Sequence, residues 1–179
     1  MGGYEELLNK IYAGAPDALP KSLLCLDPGE TTGWALFENG KLTRWGQAKT
    51  VIGTIAPGKK KGPKVMNWSE LQDLFEFTEP TAVVCEDYKI YAHKLDRHTF
   101  SSVETLRLIG GIDMTCAMEE LPLAYQMAVQ AKGFVTDAKL KSWGFWIEGM
   151  RHSRDAIRHG IYYLFITNRP TPGQLKKGE

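Results

Sequence analysis

The chain has 179 residues, 43% hydrophobic and 24% charged, with a formal net charge of +1. Those figures describe one ordinary globular domain, long enough to bury a real core. No stretch is long and apolar enough to span a membrane, the N-terminus does not read as a secretory signal, and a cytoplasmic protein is expected.

In chain order, Leu7, Leu8 and Ile11 fall on one side of residues 4–12 and predict a short amphipathic helix before the Pro16 and Pro20 breakers. Residues 1–21 as a whole read as an N-terminal extension. Leu23-Leu24-Cys25-Leu26 is a continuous apolar run, as expected of a strand buried on both faces. It stops at Asp27-Pro28-Gly29, so a carboxylate sits where the chain leaves the core and a tight turn begins. An acid in that position is held rigidly while its head stays wet enough to hold a metal. A second strand follows at Trp34-Ala35-Leu36-Phe37, then the hairpin signal Asn39-Gly40, then a returning strand over residues 41–47.

No Asp or Glu occurs between Glu38 and Glu70, while Lys41, Arg44, Lys49, Lys59, Lys60, Lys61 and Lys64 do. A local basic surface on a nearly neutral protein suits a polyanion; the bland alternative is a solvated lysine loop. Residues 50–67 hold Gly53, Pro57, Gly58, Gly62 and Pro63 and predict a long mobile loop. A short helix is expected over residues 69–77, with Leu71, Leu74 and Phe75 at helical spacing.

Thr81-Ala82-Val83-Val84-Cys85-Glu86 repeats the first strand's pattern of an apolar run ending in a carboxylate. Laid beside that strand, it brings Glu86 next to Asp27. A solvent-facing strand-end acid is common as a single instance and less comfortable as two. Asp87 points to the opposite face, so Glu86 is the preferred ligand. Residues 88–101 interleave aromatics with bases: Tyr88, Lys89, Tyr91, His93, Lys94, Arg97, His98 and Phe100. That pattern fits unstacked bases and phosphates, and equally a loop whose aromatics pack on the core.

Ser101 or Ser102 can cap a helix running to about Glu119, with Leu106, Leu108 and Ile109 as its apolar positions and Gly110-Gly111 permitting a close helix approach. Residues 122–130 predict a strand and residues 137–143 a short helix bearing Lys139 and Lys141. Further on, His152, Asp155 and His159 stand at i, i+3 and i+7 and share one helical face, while Ile157, Ile161, Leu164 and Phe165 share another. Residues 168–179 read as a tail. Cys25, Cys85 and Cys116 lack metal-ligand spacing and read as buried free thiols.

The run Asp27-Pro28-Gly29-Glu30-Thr31-Thr32-Gly33-Trp34, the strand-end Glu86, and the H-x-x-D-A pattern of His152, Asp155 and Ala156 resemble the RuvC family of Holliday-junction resolvases. That family is a branch of the RNase H-like superfamily, and the resemblance covers residues 22–166, most of the chain. It implies an α/β nuclease domain over residues 22–167, with an RNase H-like mixed five-stranded sheet and flanking helices. It implies Asp27, Glu86, His152 and Asp155 as metal ligands, and Lys132 and Lys139 as lysines near the scissile phosphate.

Phosphodiester hydrolysis needs an activated water, an electrophilic phosphorus and a stabilised leaving oxygen. Two Mg²⁺ ions about 3.5–4 Å apart supply all three, with Mn²⁺ able to substitute. The expected partner is branched DNA, namely four-way junctions and also Y-shaped or flap DNA, cut by a homodimer because symmetric cutting needs two sites. Lys59, Lys60, Lys61, Lys64, Tyr88, Lys89, Tyr91, Lys94 and Arg97 are the expected DNA contacts. Three residues after the Glu, where the bacterial family places a phenylalanine wedge, this chain has Lys89. That departure suggests a divergent, phage-type member with broader preference, working in a bacterial cell or phage-infected host. Two other readings stay open. The D-x-G-x-T pattern also opens the phosphate loop of actin/Hsp70-like ATP-binding proteins, although this chain is short for their second lobe. A non-cleaving branched-DNA-binding module would not need the acids.

Overall fold

The fold is organised around β1 (Ser22–Asp27), which pairs antiparallel with β2 (Thr32–Glu38) on one side and parallel with β6 (Ala82–Asp87) on the other. With β3 (Lys41–Ala48) and β7 (Leu123–Met127) it forms a mixed five-stranded sheet in the order β3-β2-β1-β6-β7. This computed structural model describes residues 2–12, 19–53, 64–88 and 100–167. The β2–β3 turn places Asn39 at φ 49° and Gly40 at φ 75°, the left-handed pair that a tight two-residue hairpin requires.

Helices cover both faces of the sheet. On one lie α1 (Gly2–Tyr12) and α6 (Arg151–Thr167), whose Tyr4, Leu8, Ile157, Ile161 and Leu164 pack with Leu23, Cys25, Phe37 and Val84. On the other lie α2 (Trp68–Thr78) and α3 (Phe100–Met118), whose Leu71, Phe75, Leu108 and Ile112 pack with Leu24, Leu26, Val83 and Cys85. Side chains alternate along a strand. Leu23 and Cys25 therefore assign Asp27 to the α6 face, and Ala82 and Val84 assign Glu86 to the same face. Asp87 follows Val83 and Cys85 towards the opposite face. One sequence pattern thus supplies both a two-sided core and two acids aimed at one helix.

The five-stranded mixed sheet and flanking helices are those expected, with local differences. The strand expected over residues 122–130 ends at Met127, and α4 (Ala128–Phe134) begins at once. Gln130 caps the helix there, its Oε1 accepting the Met127 backbone N–H at 3.1 Å, which satisfies a donor left open at a helix start. α5 (Asp137–Ser142) follows, capped by Thr136. The buried stripe of α3 is Leu108, Ile112 and Cys116, whereas Leu106 is exposed. Gly111 lets Trp68 lie against α3, since a Cβ there would meet the indole at 2.4 Å. Within the expected loop, β4 (Val51–Gly53) and β5 (Lys64–Met66) pair antiparallel.

The stretch expected as an N-terminal extension contributes α1 to the core, where the Tyr4 ring meets Phe145 edge-on at 4.6 Å. Cys25, Cys85 and Cys116 are buried and free, and burial pushes the Cys25 and Cys85 thiols well up. Among the described residues no helix is long and apolar enough to cross a membrane.

Candidate active site

Three parallel strands end side by side. Leu26 pairs with Cys85, so Asp27 and Glu86 come next on β1 and β6, and Glu86 in turn pairs with Gln126 of β7. Asp27, Glu86 and Gln126 therefore form a row under α6.

The turn after Asp27 is pinned from inside. Thr32 and Thr50 are fully buried, their hydroxyls lie 2.7 Å apart, and Thr50 Oγ1 donates to the Gly29 carbonyl at 2.7 Å. A threonine pair holding the turn's carbonyl gives the Asp-Pro-Gly-x-x-Thr pattern a physical purpose: it fixes the backbone from which the carboxylate projects. Gly33 lets α6 touch down beside that turn. A Cβ there would stand 2.0 Å from the His152 carbonyl carbon. Ser153 ties the helix to β3, donating to the Gly46 carbonyl at 2.6 Å, and Gly160 seats the next turns against Phe37 and Cys25.

So seated, α6 lays its polar face over the row of acids. His152 Nδ1 lies 2.7 Å from Asp27 Oδ2. The carboxylate can only accept, so Nδ1 carries the proton, and the neutral tautomer keeps its lone pair on Nε2. Burial pushes the Asp27 carboxyl up; the hydrogen bond from His152 opposes this, and the charge of Glu86 adds to it. The same hydrogen bond holds the His152 imidazolium above its ordinary range.

His159, almost fully buried, bridges the other two strand ends, with Nε2 2.8 Å from Glu86 Oε2 and Nδ1 3.0 Å from Gln126 Oε1. A neutral ring cannot donate to both acceptors, and Gln126 Nε2 is buried without a partner. Turning the Gln126 amide over removes the donor conflict: its N–H then donates to Nδ1, Nε2–H donates to Glu86, and the buried atom left over is a carbonyl oxygen rather than an N–H.

Asp155, also buried, accepts from Lys132 Nζ at 3.1 Å and from Arg158 Nη1. Arg158 continues to Asp137 and to the Val135 carbonyl, at 3.0 Å from its Nε.

Asp27, Glu86, Lys132, His152, Asp155 and Tyr88 line a single open cleft of about 420 Å³. Lys139 is not on its wall: its ammonium donates to the Phe134 carbonyl at 2.6 Å and lies over that ring. Lys64 pairs with Glu30, a cleft residue, which places it at the rim. Asp87 is absent from the wall, as strand alternation requires. Lys59, Lys60, Lys61, Lys89, Tyr91, Lys94, Arg97 and the tail over residues 168–179 lie outside the described residues.

Sequence reading missed Gln126, Thr50 and Arg158. Gln126 and Thr50 act through partners far off in the chain; Arg158 sits one turn after Asp155 and was legible as an i, i+3 pair.

As arranged, no three ligand-type side chains among the described residues converge on a point that could hold a metal ion. The donor chemistry nevertheless fits a hard divalent cation. The wall offers carboxylate oxygens from Asp27, Glu86 and Asp155 and one imidazole nitrogen, His152 Nε2, whose ring is oriented through its other nitrogen.

No family model and no curated protein matches the chain. Solved structures do. RuvC of Thermus thermophilus in complex with a Holliday junction substrate is similar with a TM-score of 0.55 and 15% identity, over 80% of this chain and 92% of that one. The yeast mitochondrial Holliday junction resolvase Ydc2 is similar with a TM-score of 0.51 and 12% identity, over 92% of this chain and 85% of that one. The fold is RuvC-like.

Proposed function

We propose that the chain is a divalent-metal-dependent endonuclease that hydrolyses phosphodiester bonds in four-way junctions and other branched DNA. The observation that carries this reading is the convergence of Asp27, Glu86 and the α6 pair His152 and Asp155 on one cleft, in a RuvC-like fold. Crowded carboxylates destabilise one another unless positive charge stands among them. Protein cations and donors do that here, with Lys132 and Arg158 on Asp155 and the two imidazoles on Asp27 and Glu86.

Asp27, Glu86, His152 and Asp155 would hold Mg²⁺ or Mn²⁺. When bound, such ions supply electrophilic activation and charge neutralisation at the phosphate. The chain's own part is to place these groups. His152 and His159 fix the rotamers of the two strand-end acids, and Lys132 offers an ammonium at the cleft wall to a phosphate oxygen. Of the two similar structures, one holds a Holliday junction substrate and the other is a Holliday junction resolvase, which supports a junction as the first substrate to try. The working unit is a homodimer, since paired symmetric cuts need two sites.

The test uses purified protein and end-labelled four-way, Y-shaped and linear DNA with Mg²⁺, Mn²⁺ or chelator. Metal-dependent cutting of branched over linear DNA is expected. Cutting that persists in chelator, or no cutting of any branched form, refutes the proposal.

A further inference from the structure

Beside the acidic cleft, and sharing Lys132, Arg151 and Asp155 with it as a common wall, lies a second cavity of about 410 Å³ between α4, α5 and the start of α6. Its charge is the reverse of its neighbour's. Lys132, Arg151, Arg154 and Arg158 face only Asp137 and Asp155 across it. Arg158 bridges both of those carboxylates, and Lys132 sits 3.1 Å from Asp155. That internal pairing leaves Arg151 and Arg154 as the cations in excess.

The two are held differently. Arg151 is mostly exposed, with its Nε 4.0 Å from Asp155. Arg154 is fixed: its guanidinium lies 4.1 Å over the Trp146 ring, Nη1 donates to the Ile147 carbonyl, and Nε is buried with no partner. Stacking fixes the plane of a guanidinium and therefore the direction of its remaining donors, which suits recognition of tetrahedral oxyanions.

We infer that this cavity is a phosphate subsite that grips the DNA backbone next to the scissile position, with Arg154 as the oriented donor and Arg151 as a mobile clamp. The inference rests on the nuclease reading for its ligand, because the shared wall makes the two cavities one continuous track for a polyanion. A strand whose one phosphate lies over Asp27 and Glu86 then places a neighbouring phosphate among the arginines. The same oxyanion chemistry could accept a free phosphate ion, and the experiment separates the two.

Binding of a labelled four-way junction is measured against salt concentration in chelator, where nothing is cut, for wild type, Arg151→Ala, Arg154→Ala, the double variant and Arg154→Lys. Each lost phosphate contact lowers the slope of log affinity against log salt by about 0.9. The double variant is therefore expected to lose about twice that. Arg154→Lys should keep the slope but bind more weakly, because it retains charge without the planar fork. Arg151→Ala alters a mostly exposed side chain, so a loss of slope there cannot be blamed on misfolding. Unchanged slopes in all variants overturn the subsite.

Inorganic phosphate is added in a parallel melting series. If it raises the melting temperature of wild type but not of the double variant, while the DNA slopes stay equal, the cavity takes free phosphate and the backbone assignment is overturned. Slopes that fall as expected in a protein that cuts no DNA with any metal uphold the subsite and sink the nuclease reading instead.

Discussion

His159 Nε2 stands 2.8 Å from Glu86 Oε2, so the acid of the second parallel strand is held by a histidine two helical turns beyond the one that holds Asp27. Truncating His159 leaves Glu86 and the buried Gln126 without their partner. An orphaned buried polar group costs about 1–3 kcal/mol, and an emptied ring site adds to that. His159→Ala should therefore lower the melting temperature markedly, and more than His152→Ala, whose side chain is 41% exposed. His159→Gln can still donate to Glu86 and should recover part of both stability and cleavage. Equal melting temperatures for the two alanine variants would show that the bridge does not form.

Asp27→Asn should abolish metal-dependent cleavage while stabilising the metal-free protein at neutral pH. Burial raises the folded-state pKa of this carboxyl, so its ionised form is disfavoured by folding and subtracts stability above the unfolded pKa of about 3.9. An amide carries no such penalty and can still accept from His152. The gain should shrink as pH falls below the carboxylate range, where the native acid is itself protonated. Melting curves of both proteins at neutral and acid pH in chelator check this; a less stable Asp27→Asn at neutral pH contradicts it.

The His152 shift has the opposite charge type and the same slope. Its hydrogen bond to Asp27 raises the folded pKa, so the contribution to stability is complete below the unfolded value of about 6.5 and is lost as pH rises through the higher folded value. Metal-free wild type should lose melting temperature across that window, and His152→Ala should show a flatter profile there. The side chain is partly open to water, which keeps the effect small.

Nitrogen at this position also bears on metal choice. Imidazole suits Mn²⁺ better than Mg²⁺, which prefers oxygen. Mn²⁺ is expected to support junction cleavage at least as well as Mg²⁺, and His152→Asp should retain cleavage with Mg²⁺ while losing the preference. Cleavage rates for both proteins in both metals decide it.

Gly33→Ala tests how α6 is seated. The added methyl would lie 2.0 Å from the His152 carbonyl carbon, a backbone atom that cannot swing aside. Overpacking of this kind typically costs about 1–3 kcal/mol, and the helix must lift from Asp27 as it yields. Reduced melting temperature together with lost cleavage is expected. Full cleavage by the variant would mean that the His152–Asp27 spacing is not critical.

Much of this arrangement is legible in the chain itself. Apolar runs ending at Asp27 and Glu86 announce two buried parallel strands, and period-two alternation settles which acids face α6. The i, i+3, i+7 spacing of His152, Asp155 and His159 likewise announces a shared face. What escaped depends on pairing between distant elements. Gln126 becomes a partner of His159 only once β7 is registered against β6, and Thr50 meets Gly29 only after β3 folds back. The expected strand runs past the end of β7 because apolar residues continue through Ala128 and Val129, while a single side chain, Gln130, caps a helix there. Lys139 and Lys132 are equivalent as sequence candidates, yet α4 turns Lys132 towards Asp155 while Lys139, on α5, donates to the Phe134 carbonyl.

Because one helix carries the partners of both strand acids, the interval between them is a length standard as much as a motif. Seven residues of α-helix advance about 10.5 Å and return to nearly the same bearing, whereas one residue more or less rotates the second contact by about 100°. Exposed side chains in the interval can drift so long as Ser153, Asp155 and the core stripe survive, but its residue number cannot. Among diverged descendants of this sequence, insertions and deletions should accumulate in the connections and stay out of residues 152–159, even where little identity is left.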